Sequence, residues 1–157
     1  MRPAGLGDLA ALTAVDAQCF PPGIAYPPEE IAALFVVPNS LTLIAERSST
    51  ILGFAAAHLL LRRLPHRQLL GELATIDVLP AFRREHVGWR LYHALETWMR
   101  GEKATRVELH VAVNNAAAMR FYERLGFHAT ARVAGYYMGR LDAWKMEKTL
   151  DSACGSH

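Results

Sequence analysis

LATIDVLPAFRREHVGWRLYHALETWM, residues Leu73 to Met99, is the stretch around which the rest of the chain can be arranged. An apolar segment ends at Pro80, and Arg83 and Arg84 follow in a short loop. A helical pattern then begins, with Val87, Leu91, Ala94, Leu95 and Trp98 on one face and Arg90, His93, Glu96 and Arg100 on the other. A strand that passes through a basic turn into a helix start presents unpaired N–H groups and the positive end of a helix dipole. Such a turn binds phosphate, although a plain strand–helix connection with solvated arginines has the same local pattern.

The bulk properties set the frame. A chain of 157 residues fits one domain, read as residues 1–150 with a small polar tail at 151–157. Hydrophobic residues make up 52% and charged residues 20%, which excludes a disordered chain. The formal net charge of +2 is too small to make nucleic acid the expected partner. Arginine supplies 14 of the 17 cations, and it suits bidentate phosphate and carboxylate binding better than lysine. Cys19 and Cys154 lie far apart and read as free thiols of a reducing compartment, and no metal site is expected. No signal-like segment precedes Asp8 and no apolar run is long enough to span a bilayer. The expected location is cytoplasmic, with no membrane partner.

Along the chain, Met1 to Ala4 reads as a stub of strand. Asp8 caps a helix to about Cys19, with Leu9, Leu12, Val15 and Cys19 on its buried stripe. Phe20-Pro21-Pro22-Gly23 ends it, and Pro28 starts a second helix through Phe35. The loop between them carries Phe20 and Tyr26, which can touch a ligand or plug the edge of the core. Leu41–Glu46 and Ile51–Leu61 form a hairpin across the polar turn Arg47 to Thr50, and Leu70–Leu79 is the next strand. Between these, Arg62 to Gln68 is a basic loop that can attract an acidic partner, although a charge run of this length is usually just solvated. Thr105 to Val113 alternates, with Val107, Leu109, Val111 and Val113 on one side and Glu108, His110 and Ala112 on the other. Asn114-Asn115 caps a helix from Ala116 to Leu125 whose stripe is Ala118, Phe121, Tyr122 and Leu125, and Gly126 sits where a left-handed residue is wanted. Phe127–Val133, a loop with Gly135-Tyr136-Tyr137, and Leu141–Leu150 complete a last strand pair.

Two segments carry a family pattern. VLPAFRREHVG (Val78 to Gly88) resembles the acetyl-CoA signature of the GNAT superfamily of N-acetyltransferases, Gln/Arg-x-x-Gly-x-Gly/Ala after the fourth strand. NNAAAMRFYERLGF (Asn114 to Phe127) resembles that superfamily's next motif, through Asn115, Ala118, Tyr122 and Gly126-Phe127. The resemblance covers Met1 to Leu150. It implies an α/β fold with a mixed central sheet of six to seven strands flanked by about four helices. Phe20-Pro21, Gly135-Tyr136-Tyr137 and Asp142-Ala143-Trp144-Lys145-Met146 are similar to the RimI-like branch, which acetylates N-terminal amines. Two positions depart from the pattern. His86 replaces the first glycine of the pyrophosphate loop, which is strained if that position needs positive φ. His110 stands where RimI-like enzymes carry a catalytic glutamate.

The resemblance implies a set of roles. The main chain at Ile76, Asp77 and Val78 holds the pantetheine arm of acetyl-CoA, with the Val78 N–H as oxyanion donor and Asn115 beside the arm. Arg83, Arg84, His86, Val87, Gly88 and Trp89 hold the pyrophosphate. Tyr122 is the candidate general acid, since a phenol can protonate a departing thiolate, and the alternative is a core tyrosine on an apolar stripe. His110 is the candidate base, mostly neutral at pH 7; Glu72 and Asp77 compete for that role, and a histidine merely satisfied by Glu108 is the alternative. Phe20, Tyr26, Tyr136 and Tyr137 receive the acceptor. The expected reaction moves acetyl to a peptide or protein N-terminal α-amine, by direct attack, in a monomer or homodimer. A small-amine acetyltransferase and a non-catalytic acyl-CoA-binding protein are the alternatives, and Tyr122 with Asn115 argues against the last.

Overall fold

The structure of the chain, a computed structural model, describes residues 1–150. The expected tail and Cys154 lie outside the described residues. Among the described residues, seven strands and four α-helices follow in the order β1 (Arg2–Pro3), α1 (Leu9–Cys19), α2 (Pro28–Val36), β2 (Ser40–Arg47), β3 (Thr50–Arg62), β4 (Gln68–Val78), α3 (Val87–Gly101), β5 (Arg106–Ala112), α4 (Ala116–Arg124), β6 (His128–Tyr137) and β7 (Leu141–Thr149). They build one sheet in the order β1-β2-β3-β4-β5-β7-β6. Only β4 and β5 run parallel, because α3 supplies the crossover that a parallel pair requires. The β2–β3 turn needs φ > 0 at both central residues to match strand twist, and Ser48 and Ser49 take φ of 51° and 66°. Among the described residues no helix is long and apolar enough to cross a membrane.

The sheet separates two apolar layers. Leu91, Tyr92, Leu95 and Met99 of α3 pack on Ala57, Leu73, Val107 and Leu109. On the opposite face Leu12 and Val15 of α1 and Ile31 of α2 cover Ile44 and Phe54. Two-residue alternation assigns Glu72 and His110 to this second face, together with Asp77 opposite Phe54 in the β3–β4 register.

Two irregularities open the sheet. Ala56 pairs with Thr75 and Ala57 with Leu73, so Ala74 is an extra residue that bends β4. The β4–β5 ladder covers only Leu70↔Arg106, Gly71↔Val107 and Glu72↔Glu108. Beyond Glu72 the two strands part, and the inner edge of β4 from Leu73 to Val78 has no neighbouring strand.

Some local expectations are corrected. Asp8 makes no side-chain cap on α1; its carboxylate accepts from the Gly5 N–H at 2.9 Å and from Arg2 at 2.9 and 3.1 Å, closing a single 3₁₀ turn instead. Glu96 lies on the buried side of α3, not its solvent face. Tyr92 Oη donates to it at 2.7 Å, Arg100 Nε at 2.9 Å and Lys148 Nζ, from β7, at 2.7 Å. Those three donors hold its carboxyl well down, near 2, against the burial that would raise it. Gly135-Tyr136-Tyr137 belongs to β6, beside a register shift between Val133 and Tyr137.

Candidate active site

Where β4 and β5 part, a cleft of about 1990 Å³ runs from the start of α3 to the α1–α2 loop. Its floor is the bare edge of β4. The Leu79 N–H donates to Leu52 of β3, so alternation turns the Asp77 backbone toward β3 and leaves the N–H and C=O groups of Ile76 and Val78 facing the cleft. Arg83 Nε and Cys19 Sγ both donate to the Val78 carbonyl, at 2.9 and 3.4 Å. The side chain of Asp77 is buried on the same face as Glu72 and His110, beneath the cleft, and does not line it. Its carboxyl therefore makes no direct contact with the cleft in which the base is expected.

One end of the cleft is built for an anion. The first hydrogen bond of α3 is Arg90 N–H to the His86 carbonyl at 3.1 Å, so the N–H groups of Val87, Gly88 and Trp89 have no acceptor within the helix. Arg83, Arg84, Arg90 and Arg124 line the same end, with His86, Gly88 and Trp89. Val87 contributes only its main chain, because its side chain is buried in the core. A Cβ on Gly88 would meet Phe121 Cζ at 3.3 Å and Val78 Cγ2 at 3.5 Å, so glycine lets α3 approach α4 and β4 closely. Asn115 Oδ1 accepts from the Ala118 N–H at 3.1 Å, which caps α4 and leaves its amide NH₂ beside the cleft.

His86 sits in the left-handed region, with φ 61° and ψ 22°. The position does need positive φ, and histidine is among the side chains that tolerate it, at a cost of about 1 kcal/mol. His86→Gly is therefore expected to leave stability unchanged or raise it by up to about 1 kcal/mol in urea titration. His86→Val, β-branched, is expected to lose about 1–2 kcal/mol and weaken anion binding at this turn.

At the middle of the cleft Tyr122 and His110 face it from α4 and β5. Tyr122 packs edge-on against Phe121 and Phe127, with centroids 5.4 and 5.9 Å away. Burial pushes its phenol up, so it stays protonated through the physiological range. His110 stacks on Tyr136, centroids 4.3 Å apart and planes 8° from parallel. Burial lowers its pKa below the usual 6.5, only partly offset by the nearby Glu72 carboxylate. It is therefore neutral at pH 7, as a base must be. Glu108 is not its partner: that carboxylate is taken by Arg106 at 2.8 Å, Arg62 at 3.3 Å and Lys145 at 3.4 Å. Glu72 lies 3.1 Å from His58 Nε2, and that contact keeps it ionised.

The far end is aromatic. Phe20, Tyr26, Tyr136 and Tyr137 all line it, and Tyr26 Oη donates to the carbonyl of the bulge residue Ala74 at 3.1 Å. Besides these aromatics, Glu30, His58 and Glu72 line the cleft. Among the described residues no group of three or more His, Cys, Asp and Glu is placed to hold a metal ion.

Residues 9–127 match the acetyltransferase (GNAT) family. The chain belongs to that family. Among curated proteins, this GNAT chain is 35% identical over 81 residues to the N-terminal acetyltransferase B complex catalytic subunit NAA20 of Arabidopsis thaliana, covering 51% of the chain and 47% of the relative. It thus spans about half the length of such relatives. It is 29% identical over 135 residues to the N-alpha-acetyltransferase RimI of Mycobacterium tuberculosis, covering 85% of the chain and 82% of the relative. In shape it is similar to Arabidopsis thaliana NAA60 solved in complex with acetyl-CoA, with a TM-score of 0.81 at 21% identity, covering 95% and 97% of the two chains.

Sequence reasoning missed several cleft residues of this GNAT domain. His58 interrupts an apolar run, and only the register that pairs it with Glu72 brings it to the site. Arg90, Arg124, Glu30 and Met138 also line the cleft, and nothing in their local spacing distinguishes them from solvated surface residues.

Proposed function

We propose that the chain is an acetyl-CoA-dependent N-acetyltransferase whose acceptor is the α-amine at a peptide or protein N-terminus. One observation carries the reading: a single cleft joins an arginine-lined helix start to an aromatic end with a neutral histidine, and the bare edge of β4 connects them. The relatives named as N-terminal and N-alpha-acetyltransferases support it.

Acetyl-CoA, when bound, supplies an acyl group activated as a thioester. The N–H groups of Val87, Gly88 and Trp89 with Arg83 and Arg84 hold its pyrophosphate. Ile76, Val78 and Asn115 bind the pantetheine arm, and the Val78 N–H faces the oxygen on which charge builds. His110 Nδ1 or Nε2 accepts the proton that the attacking amine gives up. An α-amine near pKa 8 demands far less of such a base than a lysine near 10.4. Tyr122 Oη donates to the departing sulfur, in the same dry environment that raises the sulfur's own proton affinity. The carboxylates Glu30 and Glu72 attract the cationic form of the acceptor into the aromatic end.

The test is a thiol-release assay on short peptides with free and blocked N-termini, beside spermidine and free lysine. Turnover confined to free N-termini is expected. Turnover on the small amines alone would overturn the acceptor assignment, and no thiol release with any amine would overturn the enzyme reading.

A further inference from the structure

Directly behind the acceptor end lies a pair of carboxyl groups that the reaction does not use. Asp16 on α1 is 0% exposed and Asp77 on β4 is 1% exposed. Asp16 Oδ2 accepts from the Tyr26 N–H, and Asp77 Oδ1 accepts from the Thr75 hydroxyl. The remaining oxygens, Asp16 Oδ1 and Asp77 Oδ2, are buried with no hydrogen-bond partner. Asp16 lies against Asp77 and disfavours its ionisation. Two carboxylates offer only acceptors, so a bond that satisfies these two oxygens requires a proton between them.

We propose that Asp16 and Asp77 share one proton, and that this buried pair is a positioning clamp that fixes the Phe20–Tyr26 loop against β4 and so sets the acceptor side of the cleft. It rests on the acceptor reading given above. The clamp joins three elements: α1 through Asp16, β4 through Asp77 and Thr75, and the loop through the Tyr26 N–H. The Tyr26 hydroxyl on Ala74 pins the same residue a second time. The other groups that face the pair are Cys19 on α1, Arg83 after β4 and Tyr122 on α4. Burial pushes the Cys19 thiol up to about 11, so it is neutral until well into alkali. Tyr122 is protonated for the same reason, and Arg83 is the cation that balances the pair's remaining negative charge.

Burial and the neighbouring Asp16 raise Asp77 to about 9 in the fold, against an unfolded value near 4. A carboxyl raised by folding stabilises most below its unfolded pKa. That stability falls as pH rises, until it is gone above the folded pKa. Between pH 6.5 and 8.5 the folding constant should therefore drop about tenfold per pH unit from this one proton. Asp77→Asn keeps a bond across the gap, amide to carboxylate, without the titrating proton. Asp16→Asn leaves the same single bond and serves if the first variant does not fold.

Two readings on the full chain decide the proposal. In urea unfolding, the wild-type folding constant should lose about a hundredfold more than the asparagine variant between pH 6.5 and 8.5; parallel profiles would overturn the shared proton. In turnover, the wild-type acceptor KM should rise about fivefold or more from pH 8 to 10 while the variant stays within about twofold, with acetyl-CoA affinity alike in both. The same rise in both proteins would overturn the positioning role. If the wild type acetylates no amine, the acceptor reading fails and with it the positioning role, while the unfolding profiles still decide the shared proton.

Discussion

Tyr122→Phe is expected to lower kcat by about a hundredfold and to leave the acetyl-CoA dissociation constant within about twofold. The substitution deletes one hydroxyl from a ring that packs on Phe121 and Phe127, so the apolar contacts on α4 survive. What is lost under the proposed mechanism is the donor to the departing sulfur, and general acid groups contribute roughly ten- to ten-thousand-fold. A loss in kcat with unchanged binding is the signature of an interaction made in the transition state. Stopped assays for kcat and calorimetry for acetyl-CoA check the two halves separately. Equal losses in both would make Tyr122 a structural residue of the α4 stripe.

His110→Ala is expected to reduce kcat/KM for the acceptor by about a hundredfold at pH 7 and to remove the acid limb of its pH profile. In the wild type this limb should lie below pH 6.5, because burial lowers the histidine, and a second rise near pH 8 belongs to the α-amine. Glu72 is held ionised by His58 and titrates lower still, so it cannot produce a limb between pH 5 and 8. A His110→Ala protein that keeps the wild-type profile would remove that residue from the mechanism. The same lowered pKa has a stability consequence. A histidine kept neutral by the fold contributes stability above its unfolded value near 6.5, and that contribution falls as pH drops through the folded value. His110→Ala should therefore flatten the acid decline in melting temperature as well as the rate profile.

How far the sequence carries the account differs from element to element. The β2–β3 hairpin, α4 with its Asn115 cap, and Gly126 at φ 104° were all legible, because turn chemistry and capping act within a few residues. The strand–turn–helix at Arg83 to Val87 was equally plain, whereas the sequence left open whether His86 takes a positive φ, which the structure sets at 61°. What was not legible depends on register. The extra residue at Ala74 decides which side chains of β4 face which layer, and no local pattern announces it. Asp77 was expected to compete as the base, and its side chain is buried beside Asp16 instead of lining the cleft. Glu96 was misplaced for a related reason: Lys148, 52 residues away, supplies the charge that makes its burial tolerable. His58 reaches Glu72 only across a strand pair. Local chemistry was written in the sequence, and long-range pairing of charges was not.

A peptide with a free α-amine at one end and a lysine inside it, incubated with acetyl-CoA and the wild-type chain, tests the proposed reaction most directly. Fragmentation mass spectrometry then locates the acetyl group. The expected product carries it on the α-amine alone, formed at a rate that falls about a hundredfold in Tyr122→Phe. Acetyl found on the lysine with the α-amine untouched would contradict the account.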